Sequence, residues 1–566
     1  MKPIKTRFLL IGSGIAAVTL AERLLRKDPH TEIILLEAGK TYLSKDRRKW
    51  WDYVITGKAA YAEGEDDPDP KVLKRDFDVD SNAKWDCNNN RVLAHGGSTL
   101  HWGGWSLRLK PEDFHLFENT GRGANWPFGY ETLNAYYYLA EHRLAVCGDV
   151  SESWNHFRTA LLNPDKSPRR AAQPYPLPPF AWTAADGEMI EAFRKLGIEP
   201  GRLPIARYRK CMATGTCKYC PIGARYTAQD ALDELCPHLL SNNSAKPAEE
   251  CAHPYPNLYL LTESPAIRIV MDKRRAIGVD YLDAQHQITG RIEADTVVVC
   301  AGAYESPKLL LQSTSDFWPD GVGNQHAQVG HYLVSHSILR AAGETLGNEE
   351  CWIQEYDFPT LMSRTYDTPE YQRHGKLFLF KNRKYPHLSF PDAMIGGSAK
   401  HRIEKDLREK RKMEVQAFLE EKGKYENYVG LGTGRTSKLL PNTKIVFHRT
   451  DAETADALSR LELLKRIILE MKYKILECEV DRPGGHHATG TCRMSVLPET
   501  GVVDADLRVH GADNLFVCSN AVMPTGAAVN PTLTLAALSL RLGDYLLGQP
   551  PPKLEELNDL SAEVPQ

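Results

Sequence analysis

Two stretches near the end of the chain carry the residue types that oxidation of an alcohol needs. Gly484-Gly-His-His-Ala-Thr-Gly-Thr-Cys-Arg-Met494 supplies His487 beside a Gly-Thr-Cys turn. Pro524-Thr-Gly-Ala-Ala-Val-Asn-Pro-Thr-Leu-Thr534 supplies Asn530, ahead of a proline at the mouth of an apolar helix. An imidazole, with an ordinary pKa of about 6.5, is neutral enough at working pH to take a hydroxyl proton. A carboxamide can hold the same oxygen as alkoxide character develops. His487 is therefore the candidate base and Asn530 its partner. The neighbouring His486 is expected to orient the turn or face solvent. The hydride on the carbon needs an acceptor that no side chain provides, so a cofactor is required.

The other end of the chain supplies a site for one. Phe8-Leu-Leu-Ile11 reads as a short buried strand. Gly12-Ser-Gly14-Ile-Ala-Ala17 follows and opens a helix over Val18–Leu25. Gly12 makes the tight turn, Gly14 lets backbone approach a pyrophosphate, and Ala17 packs helix on strand. The helix N-terminus offers its N–H groups to the phosphates. A second strand, Glu32–Leu36, ends in Glu37, placed to accept hydrogen bonds from a ribose. Three further segments point to a larger cofactor than NAD. Arg91-Val-Leu-Ala-His-Gly-Gly-Ser-Thr-Leu-His-Trp-Gly-Gly104 is a glycine-rich loop that can lie against a flat ring through Gly96, Gly97, Ser98, His101 and Trp102. Thr296–Leu310 is a buried strand that runs into a helix through Ala301 and Gly302. Asn514–Ala521 is a third strand, ending in Asn520 and Ala521, and Pro531 and Thr532 open the last apolar helix.

In this order, the segments resemble those of the glucose-methanol-choline (GMC) oxidoreductases and span most of the chain. The tail Val529–Arg541 is most similar to the sugar and polyol dehydrogenase branch, which includes gluconate, fructose, glucose and glucoside dehydrogenases. The resemblance implies FAD as cofactor. It also implies an α/β fold (α+β overall), like that of pyranose oxidase: a Rossmann-like FAD-binding domain interleaved with an antiparallel-sheet substrate domain. His487 falls on the family's catalytic histidine. Asn530 falls on its second member, histidine or asparagine in the family. The expected FAD-binding parts are 1–110, 222–335 and 480–548. Residues 111–221, with the cysteine cluster, and 336–479 are expected to form the substrate domain, and 549–566 a tail. His101 before Trp102 matches the position at which some members attach FAD covalently and others only pack against it. Ser519-Asn520-Ala521 departs from the Asp-Gly-Ser or Asp-Ala-Ser of many oxidases.

A run of cysteines adds a second feature. Cys211-Met-Ala-Thr-Gly-Thr-Cys217-Lys-Tyr-Cys220-Pro places three thiols within ten residues. Such a run, closed by Cys-Pro, suits an iron–sulfur cluster. Zinc with His238 as a fourth ligand, or a disulfide, are the alternatives. The sugar-dehydrogenase branch carries a comparable run that holds a three-iron, four-sulfide ([3Fe-4S]) cluster, with a different spacing. A four-iron cluster would need Cys236 or Cys87 as well. The resemblance further implies a sugar or glycoside substrate, a small accessory subunit and a cytochrome c or quinone acceptor. An oxygen-using oxidase without the cluster is the alternative.

The bulk properties are compatible with this reading. The 566 residues exceed a single simple core. A net charge of -3 gives no reason to expect nucleic acid as partner. No apolar run reaches the roughly 18 residues of a membrane helix. The apolar N-terminus superficially resembles a signal peptide, but its residues belong to the nucleotide fingerprint. Periplasmic export with a signal-bearing partner and residence in the cytoplasm both stay open. Cys147, Cys300, Cys351, Cys478 and Cys518 are expected to be isolated buried thiols. Residues 164–179, with six prolines, read as an exposed excursion, and 401–424 as a solvated amphipathic helix. The aromatics Trp105, Trp126, Tyr136, Tyr137, Tyr138, Trp352, Tyr356, Phe378 and Phe380 are expected in the core.

Overall fold

The computed structural model describes residues 4–42, 50, 76–83, 85, 91–158, 173–207, 211, 220, 222–240, 254–283, 288–346, 358–372, 375–382, 410–436, 440–483, 485–554 and 557. Strand β1 (Ile4–Ile11) leads through Gly12 into helix α1 (Ile15–Lys27), and β2 (Ile33–Leu36) follows. Far along the chain come β3 (Ile288–Val299), helix α2 (Gly302–Gln312), β4 (Leu515–Val517) and helix α3 (Thr532–Leu546). β2, β1, β3 and β4 lie side by side and parallel in one sheet. The strands Leu258–Leu261 and His238–Leu239 extend it beyond β2, also in parallel. The central segments of β1 to β4, Phe8–Ile11, Ile33–Leu36, Val297–Val299 and Leu515–Val517, are apolar and buried on both faces, as a sheet covered by helices requires.

The register determines where the chemistry can occur. Ile11 pairs with both Leu36 and Val299, and Val299 pairs with Val517. Four strands therefore end at one level, and Gly12, Glu37, Cys300 and Cys518 follow them along a single sheet edge. Ligands of open α/β sheets bind at that carboxyl edge. The first half of β3, at the opposite, amino end of the parallel strands, pairs with an antiparallel hairpin, Ala266–Asp272 and Arg275–Asp283.

A second, antiparallel sheet has six strands in the order Lys474–Pro483, Ser337–Leu346, Lys410–Leu419, Leu377–Asn382, Leu361–Tyr366 and Gly201–Arg202. Alternation along them sorts two faces. Leu339, Ala341, Leu377, Leu379, Met413, Val415, Ala417 and Leu419 pack under the helices Ala184–Lys195 and Asp451–Glu470. Ile338, Phe380, Gln416 and Phe418 point the other way, into the cavity described below. The charge-rich stretch expected to be helical is therefore a strand over 410–419. Period-two alternation of buried and partly polar residues, paired on both sides, overrides the helical spacing; 401–409 lie outside the described residues.

Long-range polar contacts fix the frame. Arg23 on α1 forms a double hydrogen bond, 2.8 Å on each arm, with Asp544 on α3, and Tyr136 donates to the same carboxylate at 3.1 Å. Tyr136, Tyr137, Trp126 and Phe378 are core residues, as expected. Arg108 and Arg158 both grip Glu141, and all three are completely buried. Helix Glu131–Arg143, which carries Glu141, thus packs on the cofactor side of the molecule, against α3.

Candidate active site

A cavity of about 700 Å³ runs from the carboxyl edge of the parallel sheet to the Ile338, Phe380, Gln416 and Phe418 face of the antiparallel one. One end is built from backbone. Gly12 has φ +109°, and a Cβ there would lie 2.8 Å from the Cys300 carbonyl oxygen. Gly14 meets nothing within 4 Å on its Cβ side and lines the cavity. It stands at the N-cap of α1, which no side chain caps, so the helix amides are left to an anion. Glu37 lines the same wall and accepts from Ser13 N and Oγ, at 3.0 and 2.8 Å, and from Gly39 N at 2.8 Å. Ala17 is fully buried beneath, between helix and strand.

The second glycine loop docks on the first. Lys40 bridges to Ala94, and Gly96 N donates to Ser13. Gly97, Ser98, His101 and Trp102 line the cavity; Gly96 itself does not, and serves as the anchor. Trp102 Nε1 donates to the Tyr226 carbonyl at 2.8 Å, which fixes the indole. Ala301, Gly302 and Asn520 form another part of the wall. The Asn520 Oδ1 is buried without a hydrogen-bond partner. Such an atom is costly unless a ligand satisfies it. Ala521 lies behind the wall, where its carbonyl accepts from Cys492 N at 2.9 Å. Pro531 caps α3, and Thr532, the first residue of that helix, faces the cavity. An uncapped helix end, a glycine cradle and an orphaned carboxamide oxygen together fit a large dinucleotide cofactor.

The opposite end holds the two candidate catalytic groups. His487 comes from a short turn that is hydrogen-bonded to the Val334 segment, and Asn530 from the loop before α3. Asn530 Nδ2 lies 3.0 Å from His487 Nε2. Asn530 Oδ1 is buried without a partner. His487 is held well below the ordinary histidine pKa, by burial first and then by the neighbouring His336 and His486. It is therefore neutral across ordinary pH. His486 is exposed, at the rim of the cavity.

His336, behind the cavity wall, and Phe418, on it, escaped the sequence reading. His336 Nδ1 lies 2.9 Å from His487 Nδ1. Phe418 meets the His487 ring edge-on at 5.0 Å between centroids. Phe380 and Trp105 continue the aromatic wall, 4.5 Å apart between centroids. Phe380, a core residue as expected, and Trp105, packed against that core, also face the cavity. The signal for Phe380 and Phe418 is in the sequence, because each stands out of phase with the core-facing residues of its strand. Trp352 and Tyr356 lie outside the described residues. Arg91, Glu305 and Lys308 also line the cavity. Arg91 and Lys308 hold the Glu305 carboxyl down at about 2 despite its burial.

The cysteine run is only partly visible. Cys211 and Cys220 are half-buried, while Cys217 and Cys87 lie outside the described residues. Cys220 Sγ accepts from Ala224 N at 3.3 Å. Cys211 packs beside Cys147, Ile205 and Phe358 with Trp105. Cys236 is disulfide-bonded, which removes it as an extra thiolate ligand. His238 sits against the Tyr259 ring. Among the described residues no group of three metal-ligating side chains occurs. Cys147, Cys300 and Cys518 are buried free thiols, and Cys478 is half-buried; Cys351 is outside the described residues.

A parallel sheet with a dinucleotide cradle, facing an antiparallel sheet across a histidine–asparagine pair, defines an FAD-dependent oxidoreductase acting on CH–OH donors. Models of the GMC oxidoreductases match residues 249–338 and 470–539, and the chain belongs to that family. It is 25% identical to the fructose dehydrogenase large subunit of Gluconobacter japonicus, over 95% of this chain and 97% of that one. It is 27% identical to the 6'''-hydroxyparomomycin C oxidase of Streptomyces lividus, over 94% and 89%. A formate oxidase variant from Aspergillus oryzae shares the fold, with a TM-score of 0.62 and 16% identity over 98% of this chain and 99% of that one. Among the described residues no helix is long and apolar enough to cross a membrane.

Proposed function

We propose that this protein oxidises a hydroxyl group of a sugar, glycoside or polyol. The observation that carries the reading is the His487–Asn530 pair, 3.0 Å apart on the wall of the cofactor cavity. An alcohol oxygen inserted between the two replaces their direct N–H···N bond. Its O–H donates to His487 Nε2 while it accepts from Asn530 Nδ2. The proton then passes to Nε2 as the carbon loses its hydride. FAD held by Gly12, Gly14, Glu37, Gly97, Ser98, Trp102, Ala301, Gly302, Asn520 and Thr532 would supply the hydride acceptor. Glu37 is the residue for the ribose, and His101 faces the same cavity, as either a packing or an attachment residue. The aromatic wall of Trp105, Phe380 and Phe418 suits the C–H face of a sugar ring, and Gln416 offers a polar group beside it. The relatives named above include a fructose dehydrogenase subunit and an aminoglycoside oxidase, which supports a carbohydrate-like donor.

For the electron exit, Cys211, Cys217 and Cys220 are the residues that would hold an iron–sulfur cluster, of the [3Fe-4S] type with three thiolates. One-electron transfer to a cytochrome c or quinone is the chemistry it would supply. Arg225, five residues on from Cys220, donates to the carbonyls of Leu100 and Trp102, which ties this segment to the flavin-facing loop. A small accessory subunit fits the resemblance to a dehydrogenase large subunit. The second reading, transfer to oxygen without a cluster, is favoured by the oxidases among the relatives. Iron analysis and electron paramagnetic resonance of protein purified without air separate the two. A three-iron signal that disappears on adding substrate supports the relay; fully FAD-loaded protein without iron supports the oxidase.

A further inference from the structure

His336 stands at the start of the strand Ser337–Leu346 and is almost completely buried. It touches both catalytic loops. Its Nε2 lies 3.2 Å from the Gly526 carbonyl oxygen and 2.9 Å from that of Ala527, in the loop that ends at Asn530. Its Nδ1 lies 2.9 Å from His487 Nδ1. Phe418 stacks on its ring at 5.4 Å between centroids.

The donors and acceptors then fall in only one order. Two carbonyl oxygens can only accept, so His336 Nε2 carries a proton. Burial pushes the His336 pKa down to about 4, with the two carbonyls and Asp367 opposing. The ring is therefore neutral, and its Nδ1 is bare. A bare nitrogen 2.9 Å from His487 Nδ1 requires a proton on the latter. A neutral His487 protonated at Nδ1 has its lone pair on Nε2, the atom that faces Asn530 and the cavity.

We propose that His336 is a positioning residue: it locks His487 in the Nδ1–H tautomer, so that Nε2 is the basic atom, and it joins the His487 turn to the Asn530 loop. This rests on the reading of His487 as the base. Without His336, the His487 proton is free to move to Nε2 and donate to the unpartnered Asn530 Oδ1. The base is then blocked even though every catalytic atom is present. A hydrogen bond to the far ring nitrogen of a histidine sets its tautomer in the same way at metal and catalytic sites.

The test uses full-length, FAD-loaded protein with histidine labelled at the ring nitrogens. Wild type, His336→Phe, His336→Asn and His487→Ala are compared. Phenylalanine keeps the ring stacked on Phe418, and asparagine restores an acceptor near the Nδ1 position. In wild type, the long-range nitrogen–proton spectrum should show His487 protonated at Nδ1 and bare at Nε2, and His336 the reverse. In His336→Phe the His487 proton should move to Nε2. Flavin reduction should slow by roughly 10- to 100-fold with KM within about threefold, and His336→Asn should recover most of the loss. The proposal is overturned if wild-type His487 carries its proton on Nε2, or if His336→Phe reduces flavin at the wild-type rate while His487→Ala does not. It is overturned equally if both His336 variants lose FAD, melting temperature and activity in parallel, because the role is then structural only. A His487→Ala variant that reduces flavin normally has a different meaning: it removes the base assignment and this proposal together.

Discussion

Asn530 Nδ2 and His487 Nε2 face each other at 3.0 Å, although 43 residues separate them in the chain. In the proposed reaction this direct bond gives way to one alcohol oxygen, which the two groups would clamp between them. Loss of the amide donor in Asn530→Ala is expected to lower the rate of flavin reduction about 10²- to 10³-fold, as for other single donors that stabilise an oxyanion. Asn530→His keeps a nitrogen donor and should retain more activity than Asn530→Ala. Stopped-flow reduction of both variants without oxygen checks the ranking; equal rates would contradict the clamp.

Acid should affect activity and stability differently. The depressed pKa of His487 places the acid limb of the flavin-reduction profile well below 6.5. Stability responds to His336 over a defined window. Above about pH 6.5 the residue is neutral in both folded and unfolded chains, so it contributes no pH dependence there. Between 6.5 and about 4 the unfolded chain binds a proton at His336 that the folded protein does not. Stability therefore falls with pH across that window, by on the order of 3 kcal/mol from this residue, and levels off below it. Denaturant melts at pH 7, 5.5 and 4.5 should show the fall, and His336→Phe should reduce it without removing it, because buried His487 contributes in the same direction.

The glycine cradle is tested at its tightest point. In Gly12→Ala, a Cβ would stand 2.8 Å from the Cys300 carbonyl, on a backbone with φ +109°. The strain costs about 1–3 kcal/mol. FAD retention after gel filtration should drop sharply, with far-ultraviolet circular dichroism unchanged. A variant that keeps full FAD would show that the turn is not in the cofactor's path.

Stability also rests on Glu141, whose pKa burial tends to raise but Arg108 and Arg158 bring down to about 2. Glu141→Ala leaves two buried guanidinium groups without their carboxylate. The expected cost is about 3–5 kcal/mol, measured as a lower denaturant midpoint. A loss below about 1 kcal/mol would show that these charges find water instead.

The aromatic wall should matter for binding more than for chemistry. Replacing Phe380 by leucine keeps the packing volume roughly the same but removes a ring face. KM for a sugar substrate should rise about 2- to 12-fold, the equivalent of 0.5–1.5 kcal/mol, with the limiting rate of flavin reduction nearly unchanged.

The parts of this molecule that are legible in the sequence are those whose meaning is local. Gly12, Gly14 and Glu37 belong to a strand–turn–helix–strand unit of 34 residues, Ile4 to Glu37, in which each element specifies the next. The His487 turn and the Asn530-Pro531 helix entry carry their own chemistry. The surroundings of His487 are not local. His336 sits in Val334-Ser-His-Ser337, with nothing around it to mark it out; its role arises from contacts 151 and 190 residues away. The 410–419 strand misleads for a related reason. Its charged residues suit a solvated helix, and only pairing with Ser337–Leu346 and Leu377–Asn382 reveals the two-residue alternation that places Phe418 beside His487.

The central claim is that His487 takes the proton of an alcohol whose hydride leaves to FAD. The most direct measurement is anaerobic, single-turnover flavin bleaching of wild type and His487→Ala, both with full FAD content, against a panel of sugars, glycosides and polyols. Wild type should bleach with at least one of them, and His487→Ala should bleach with the same compound about 10²- to 10⁴-fold more slowly. Equal bleaching rates in the two proteins, or no bleaching of wild type by any member of the panel, would contradict it.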